Sequence, residues 1–193
     1  MPEGCKATHD KGEVMKLKIS KLLLEGALMF QAKQDVRYYL NGICFMPDGR
    51  VAATDGHRAM IASKHENKLK DNVIVSVSKS PTKRYAYALL DTKTGIVTYH
   101  DEHEIMVGAG ICSEINGRFP DIDSAIPKQT AATEQIGFNA KYLADVEKLA
   151  KLFNPKYKSV RFELNGNINA AVANVSAPTG ENVKVIVMPM RID

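Results

Sequence analysis

The sequence predicts an α+β fold in which two β-α-β-β-β units flank a helix-free sheet segment. Three observations predict it. Only two segments carry the apolar period of a helix, each opened by a capping residue, Ser20 and Asn139. Most other apolar residues fall in short strand-like runs between turns rich in Gly, Pro and Asp. The order strand, helix, strand, strand recurs at both ends of the chain with little residue identity, so the repeat is structural.

Residues 1–13, "MPEGCKATHDKGE", show no periodicity and read as a tail. "VMKLKI" (14–19) alternates as a strand does. Ser20 is placed as an N-cap, with Ile19 and Leu24 at hydrophobic-staple positions, and a helix is expected over 20–32. "KLLLEGALMFQA" is apolar nearly all round, so most of it should be buried. "VRYYLNGICFM" is strand-like, "PDGR" (47–50) is a hairpin turn, and "VAATDGHRAMIAS" returns from it. The middle block, 72–115, reads as strands only: "VIVSVS", "YAYALL", "IVTYH" and "IMVGAGICSEI", joined by "DTKTG" and "DEHE" turns. "KSPTK" between the first two is too short and too interrupted by proline for a helix.

In the last block "EQIGF" reads as a short strand. Asn139 then caps a helix over 140–153, with Leu143, Val146, Leu149, Ala150 and Phe153 as its apolar stripe and Lys141, Lys148 and Lys151 opposite. "NP" (154–155) stops it. "SVRFELNG", "NINAAVANVS" and "VKVIVMPMRI" read as three strands. Each helix has an apolar face that needs a partner, so the two are expected side by side.

The chain has 193 residues, 45% of them apolar, which is enough for a real core. No run approaches the ~18 apolar residues of a membrane span, and the start lacks the apolar stretch of a signal peptide. Cys5, Cys44 and Cys112 are far apart and odd in number, so neither a zinc site nor a disulfide framework is suggested. A reduced, cytoplasmic setting is the simplest reading. The net charge of +4 is mild, and lysine clusters in 64–84 and 136–160 are weak pointers to phosphate.

The densest chemistry is "TDGHR", Thr54 to Arg58. Asp55 and His57, two apart, could pair carboxylate with imidazole, but catalysis would need a nucleophile or metal as well. His100 and His103 in "YHDEHE" fall at a hairpin tip rather than on a helix. The sequence holds no HExxH, Walker or GxSxG motif. The reading is therefore a turn held by its own polar groups, with no catalysis, cofactor or metal. "QDVRYYLNG" (34–42) is open between two readings: its tyrosines and Arg37 pack, or they reach a phosphate backbone.

"QDVRYYLNGICF", "VAATDGHRAMIAS", "NGRFPDIDSAIPK", "GFNAKYLADV" and "VIVMPMRI" resemble, in order, motifs of the bacterial sliding clamp, the beta subunit of DNA polymerase III. The resemblance covers 14–127 and 136–193 and implies the DNA-clamp fold. Residues 14–127 are similar to the family's middle domain without its second helix, 128–135 serve as linker, and 136–193 are similar to the second half of the last domain. The family's first domain has no counterpart here, so the chain resembles a shortened clamp-like member.

In that family, partner proteins insert a short hydrophobic peptide between the middle and last domains. The resemblance carries this pocket onto Leu40, Thr54, Gly56, His57, Arg58, Pro120, Ala125, Ile126, Ile168, Ala170, Ile186, Met188, Pro189, Met190 and Arg191. Leu40, Ile168, Ile186, Met188 and Met190 would form an apolar floor, with His57 and Arg58 as polar rim. Ala59 is smaller than the leucine usual after "GHR". The resemblance places Gln34, Arg37, Tyr38 and Tyr39 on a loop near DNA, with Lys21, Lys141, Lys148 and Lys151 on inward-facing helices, where contacts would go to phosphate. The implied partners are the clamp-binding peptides of polymerases and other replication proteins, with non-specific double-stranded DNA and a homo-oligomer as further possibilities. Two modes stay open: an oligomer that encircles DNA, or a monomeric decoy that occupies those peptides without binding DNA.

Overall fold

The computed structural model describes residues 16–178 and 180–191, so the tail assigned to 1–13 lies outside the described residues, as does Cys5. β1 (Lys16–Ser20) runs straight into α1 (Lys21–Phe30). The Ser20 hydroxyl accepts from the Leu23 N–H, as an N-cap should. β2 (Ile43–Phe45), β3 (Arg50–Thr54) and β4 (Arg58–Ser63) complete the first unit. β5 (Val73–Val77), β6 (Tyr87–Asp91), β7 (Ile96–His100) and β8 (Met106–Glu114) form the helix-free block. α2 (Ala140–Phe153) then leads to β9 (Val160–Glu163), β10 (Ala171–Val175) and β11 (Val183–Val187).

Among the described residues, the eleven strands form one antiparallel sheet in the order β1-β6-β7-β8-β5-β2-β3-β4-β11-β10-β9. The first unit and the middle block exchange strands. β1 crosses to pair with β6, and β5 crosses back to pair with β2. The last block joins through β4 and β11, where Ala59 stands opposite Ile186.

Alternation along the central strands builds a core on each face. Ile43, Phe45, Val51, Ala53, Met60, Val185 and Val187 face the helices. Cys44, Ala52, Ala59, Ile61 and Ile186 face the other way. Phe119 and Ile122, from the segment after β8, cover that outer cluster. Arg50 holds the cover down through a bidentate pair with Asp123, at 2.6 and 2.7 Å. Cys44 lies sealed beneath it, and burial pushes its thiol up to about 12.

The helices do lie side by side. A Cβ on Gly26 of α1 would stand 2.9 Å from Met60 Cε and 3.1 Å from Leu149 Cδ1 of α2, so this glycine sets the close approach. "KSPTK" is not helical; it folds back against β8, where Gly108 and Gly110 leave room for Pro81 and Ser78. The Tyr99 hydroxyl donates to the Ser78 carbonyl and pins the segment.

Four expectations need correction. "EQIGF" is not a strand: Gly137 makes an isolated bridge to Met190, because no strand lies beside it as β6 lies beside β1. The strand expected over "VRYYLNGICFM" is confined to β2, since Tyr38–Leu40 is a 3-10 turn and Asn41 closes the loop onto Asp35. α1 stops at Phe30, short of 32, as Gln31 turns to extended backbone. Leu143 is 38% exposed and Asp145 is buried in its stead, because Arg58 draws Asp145 into the interior.

Candidate functional site

Asp55 organises the turn between β3 and β4. Its Oδ1 accepts the N–H groups of His57 (2.9 Å) and Arg58 (3.0 Å), and its Oδ2 accepts from Arg58 Nε (3.0 Å). Thr54 Oγ1 donates to the Arg58 carbonyl and accepts from the Gly56 N–H. Gly56 sits at φ +91°, and a Cβ there would come within 2.8 Å of Arg37. The turn and the 34–42 loop therefore touch, with Arg37 also reaching the Asp55 carbonyl.

Arg58 is not a rim residue. It is buried, and every guanidinium nitrogen is engaged: Nε on Asp55, one terminal nitrogen on Asp145 of α2, the other on the Met29 carbonyl at the end of α1. The rings of Phe30 and Tyr142 flank it at 4.9 and 5.2 Å. Burial pushes the Asp145 carboxyl up, but hydrogen bonds from Lys148 and Arg58 outweigh this and hold it below the usual range. Arg58 thus ties β4 to both helices.

His57, next to it, is exposed and stacks on Tyr142. Its carbonyl accepts from the Met188 N–H at 3.0 Å, just past the end of β11. Met190 in turn donates to the Gly137 carbonyl. The side chains of Met188 and Met190 are 41% and 52% exposed and continue the outward-facing row that starts at Ile186. So the structure brings Gly56, His57, Met188, Pro189, Met190 and Arg191 together across the β4–β11 seam.

The rest of the expected pocket divides. Leu40, Thr54, Ala170 and Ile186 are buried, and Leu40 and Ile186 are sealed core rather than an open floor. Ile126 is half-buried against the outer cluster, while Pro120 and Ala125 are exposed on the covering segment. Ile168 is 70% exposed on the β9–β10 connection. Clefts of about 440 Å³ beside Arg118 and about 310 Å³ beside Arg161 contain none of these residues.

The residues expected near DNA are scattered in their commitments. Gln34 adopts a positive φ on the loop. Arg37 hydrogen-bonds Asp35 and thereby holds that carboxyl down to about 2. Tyr39 packs against the outer cluster, and Tyr38, though more than half exposed, lies edge-on to Tyr39 with its ring against Gly117. Lys21 donates to the Lys83 carbonyl and lies over Tyr85. Lys148 pairs with Asp145 and Lys151 with Glu147, while Lys141 is exposed in the first turn of α2.

Of the two hairpin-tip histidines, His100 has its ring engaged within the hairpin, and His103 is tied by its backbone N–H to Asp101. His100 bonds Thr98 and the Glu104 carbonyl and stacks on Tyr87. Among the described residues, no cluster of three His, Cys, Asp or Glu is placed to hold a metal. No helix there is long and apolar enough to cross a membrane. Sequence reasoning missed Asp145 and Tyr142. Their one signal was an acid inside the apolar stripe of α2.

No protein-family model matches the chain. It is 32% identical over 160 residues to the beta sliding clamp of Vibrio cholerae, matching 79% of this chain and 43% of that protein. It is 29% identical over 161 residues to the beta sliding clamp of Escherichia coli K12, matching 80% of this chain and 44% of that protein. The chain thus spans less than half the length of these curated relatives. A DNA polymerase sliding clamp from Pseudomonas aeruginosa, solved with ligand, superposes with a TM-score of 0.64 at 21% identity, over 100% of this chain and 70% of that one. A further clamp structure from that organism, described as bound to griselimycin, superposes at 0.62 and 21% identity, over 97% and 68%. The fold is the DNA-clamp fold.

Proposed function

From a chain that is a clamp-like relative of the bacterial beta sliding clamps, we propose a DNA-replication protein that binds the clamp-binding peptides of polymerases and other replication proteins, in the cytoplasm and without catalysis. The observation that carries this reading is the seam between β4 and β11, where His57 and the exposed Met188 and Met190 meet on backbone locked from below by Arg58. Methionines are unbranched and polarizable, so they mould to an incoming Leu or Phe side chain. The peptide lies along Met188 and Met190, flanked by His57, with Ile186 of the same outward-facing row buried in the cluster behind them. Asp55, which an enzyme would need free, is consumed in the turn.

Calorimetry with a clamp-binding pentapeptide tests this. An affinity on the order of micromolar is expected, since ordering the peptide offsets part of the gain. A Met190→Ala, His57→Ala double variant should fold yet lose most of that affinity. Equal binding by both proteins, or none by the wild type at millimolar peptide, would overturn the reading.

DNA contact is the subordinate part of the proposal. Lys148 and Lys151 already have carboxylate partners, so each phosphate contact there replaces an ion pair. That balance favours a peptide-binding module whose hold on DNA is weak and salt-sensitive.

A further inference from the structure

The sheet has two ends, and they are finished differently. At β1, the Asn67 side chain acts as a false strand: its Oδ1 accepts from the Lys18 N–H at 2.7 Å and its Nδ2 donates to the Lys18 carbonyl at 2.9 Å. That amide takes up both backbone groups of the middle residue and blocks the edge to another chain. At β9 no strand lies on the outer side among the described residues. The linker reaches only the residues just past the end of β9, where the Ala131 N–H donates to the Leu164 carbonyl. In the first unit the equivalent edge, that of β2, is covered by β5.

We propose that β9 pairs antiparallel with β9 of a second copy across a two-fold axis normal to the sheet. Such an axis keeps both helix layers on one side, so a residue can oppose only one from the same face of the strand. Val160 and Phe162 face the helices, opposite Val175 and Ala173 of that core, so Arg161 and Glu163 face out.

The charges select one register. With Phe162 opposite Phe162 of the second copy, Arg161 stands opposite Glu163 of the second copy and Glu163 opposite its Arg161. Both pairs fall within the ~4.5–5.5 Å Cβ spacing at which cross-strand side chains interact. The neighbouring registers centre on Arg161 or on Glu163 and oppose like charges. Phe162, 38% exposed in one copy, gains its counterpart as an aromatic neighbour. Glu163 already accepts from Asn174 Nδ2 at 2.9 Å, which holds its carboxylate on the outer face. The contact is isologous and closes at two copies, and with β1 capped it does not propagate into a filament. It is separate from the peptide-binding seam, so its test involves no peptide.

Sedimentation of the full chain from ~10 µM to ~1 mM should show a monomer shifting toward twice its mass, as expected of a small, weak interface. Arg161→Glu and Glu163→Arg should each raise the dissociation constant at least about tenfold, because each substitution puts like charges opposite at two symmetric positions. The combined R161E/E163R variant restores opposite charges and should dimerise close to the wild type, with circular dichroism showing that all three variants fold. A wild type that stays monomeric throughout, single variants that dimerise unchanged, or a folded combined variant that remains monomeric would each overturn the proposal.

Discussion

On the helix side of the β4–β11 seam, Arg58 is bound at every guanidinium nitrogen and flanked by Phe30 and Tyr142. On the outer side of the same seam, Met188 and Met190 are held through their backbone N–H groups, and about half of each residue is exposed. One face is over-determined and the other is left adaptable, on opposite sides of a single sheet. The separation would let the outer face change its packing on binding the proposed peptide without disturbing the joint between the helices and the sheet.

The strongest way to break that contrast is Asp145→Ala. It leaves the buried guanidinium with Asp55 as its one remaining carboxylate, and up to about 3–5 kcal/mol of stability should be lost in urea unfolding. Peptide affinity of the fraction still folded should be nearly unchanged. A large loss of affinity with little loss of stability would show that the two faces are not separate.

A smaller effect is expected from Gly56→Ala, which sits between the faces. Its positive φ and its contact with Arg37 together predict a cost of about 1–3 kcal/mol. Here stability and peptide affinity should fall together, since the carbonyl of the next residue holds Met188. Thermal unfolding beside calorimetry on one preparation checks the pairing.

The smallest effect is in acid. Asp145 has its folded pKa below its unfolded value, so its contribution is complete above about pH 4 and is lost as pH falls through the folded value. The wild type should therefore lose stability below about pH 4 more steeply than an Asp145→Asn variant. Parallel curves for the two would remove Asp145 from the account of the helix face.

Much of this could be read from the residues, and the failures have a common cause. α2 was legible to the residue, because Asn139 and Asn154-Pro155 are local signals and the apolar period lies between them. The chain's likeness to clamps was legible too, because five motifs in order are local strings. "EQIGF" has as good a strand pattern as "VMKLKI", but a strand exists only where a neighbour accepts its hydrogen bonds. β1 finds β6, and Gly137 finds a single residue, Met190. Arg58 likewise looks like a surface cation in sequence, and only the arrival of Asp145 from 87 residues away turns it inward. The tyrosines of the 34–42 loop were open between two roles because their backbone is a 3-10 turn, where strand alternation does not apply.

The two described cysteines happen to lie one in each core, Cys44 under the outer cover and Cys112 on the helix side. Burial raises both thiols, Cys44 to about 12, so neither offers thiolate to a reagent while its core is closed. Alkylation of each then becomes a clock for the opening of its own layer. With Cys5 replaced by serine, the molecule carries two native timers that read its faces separately, one running on the scaffold and the other on the outer cluster beside the β4–β11 seam.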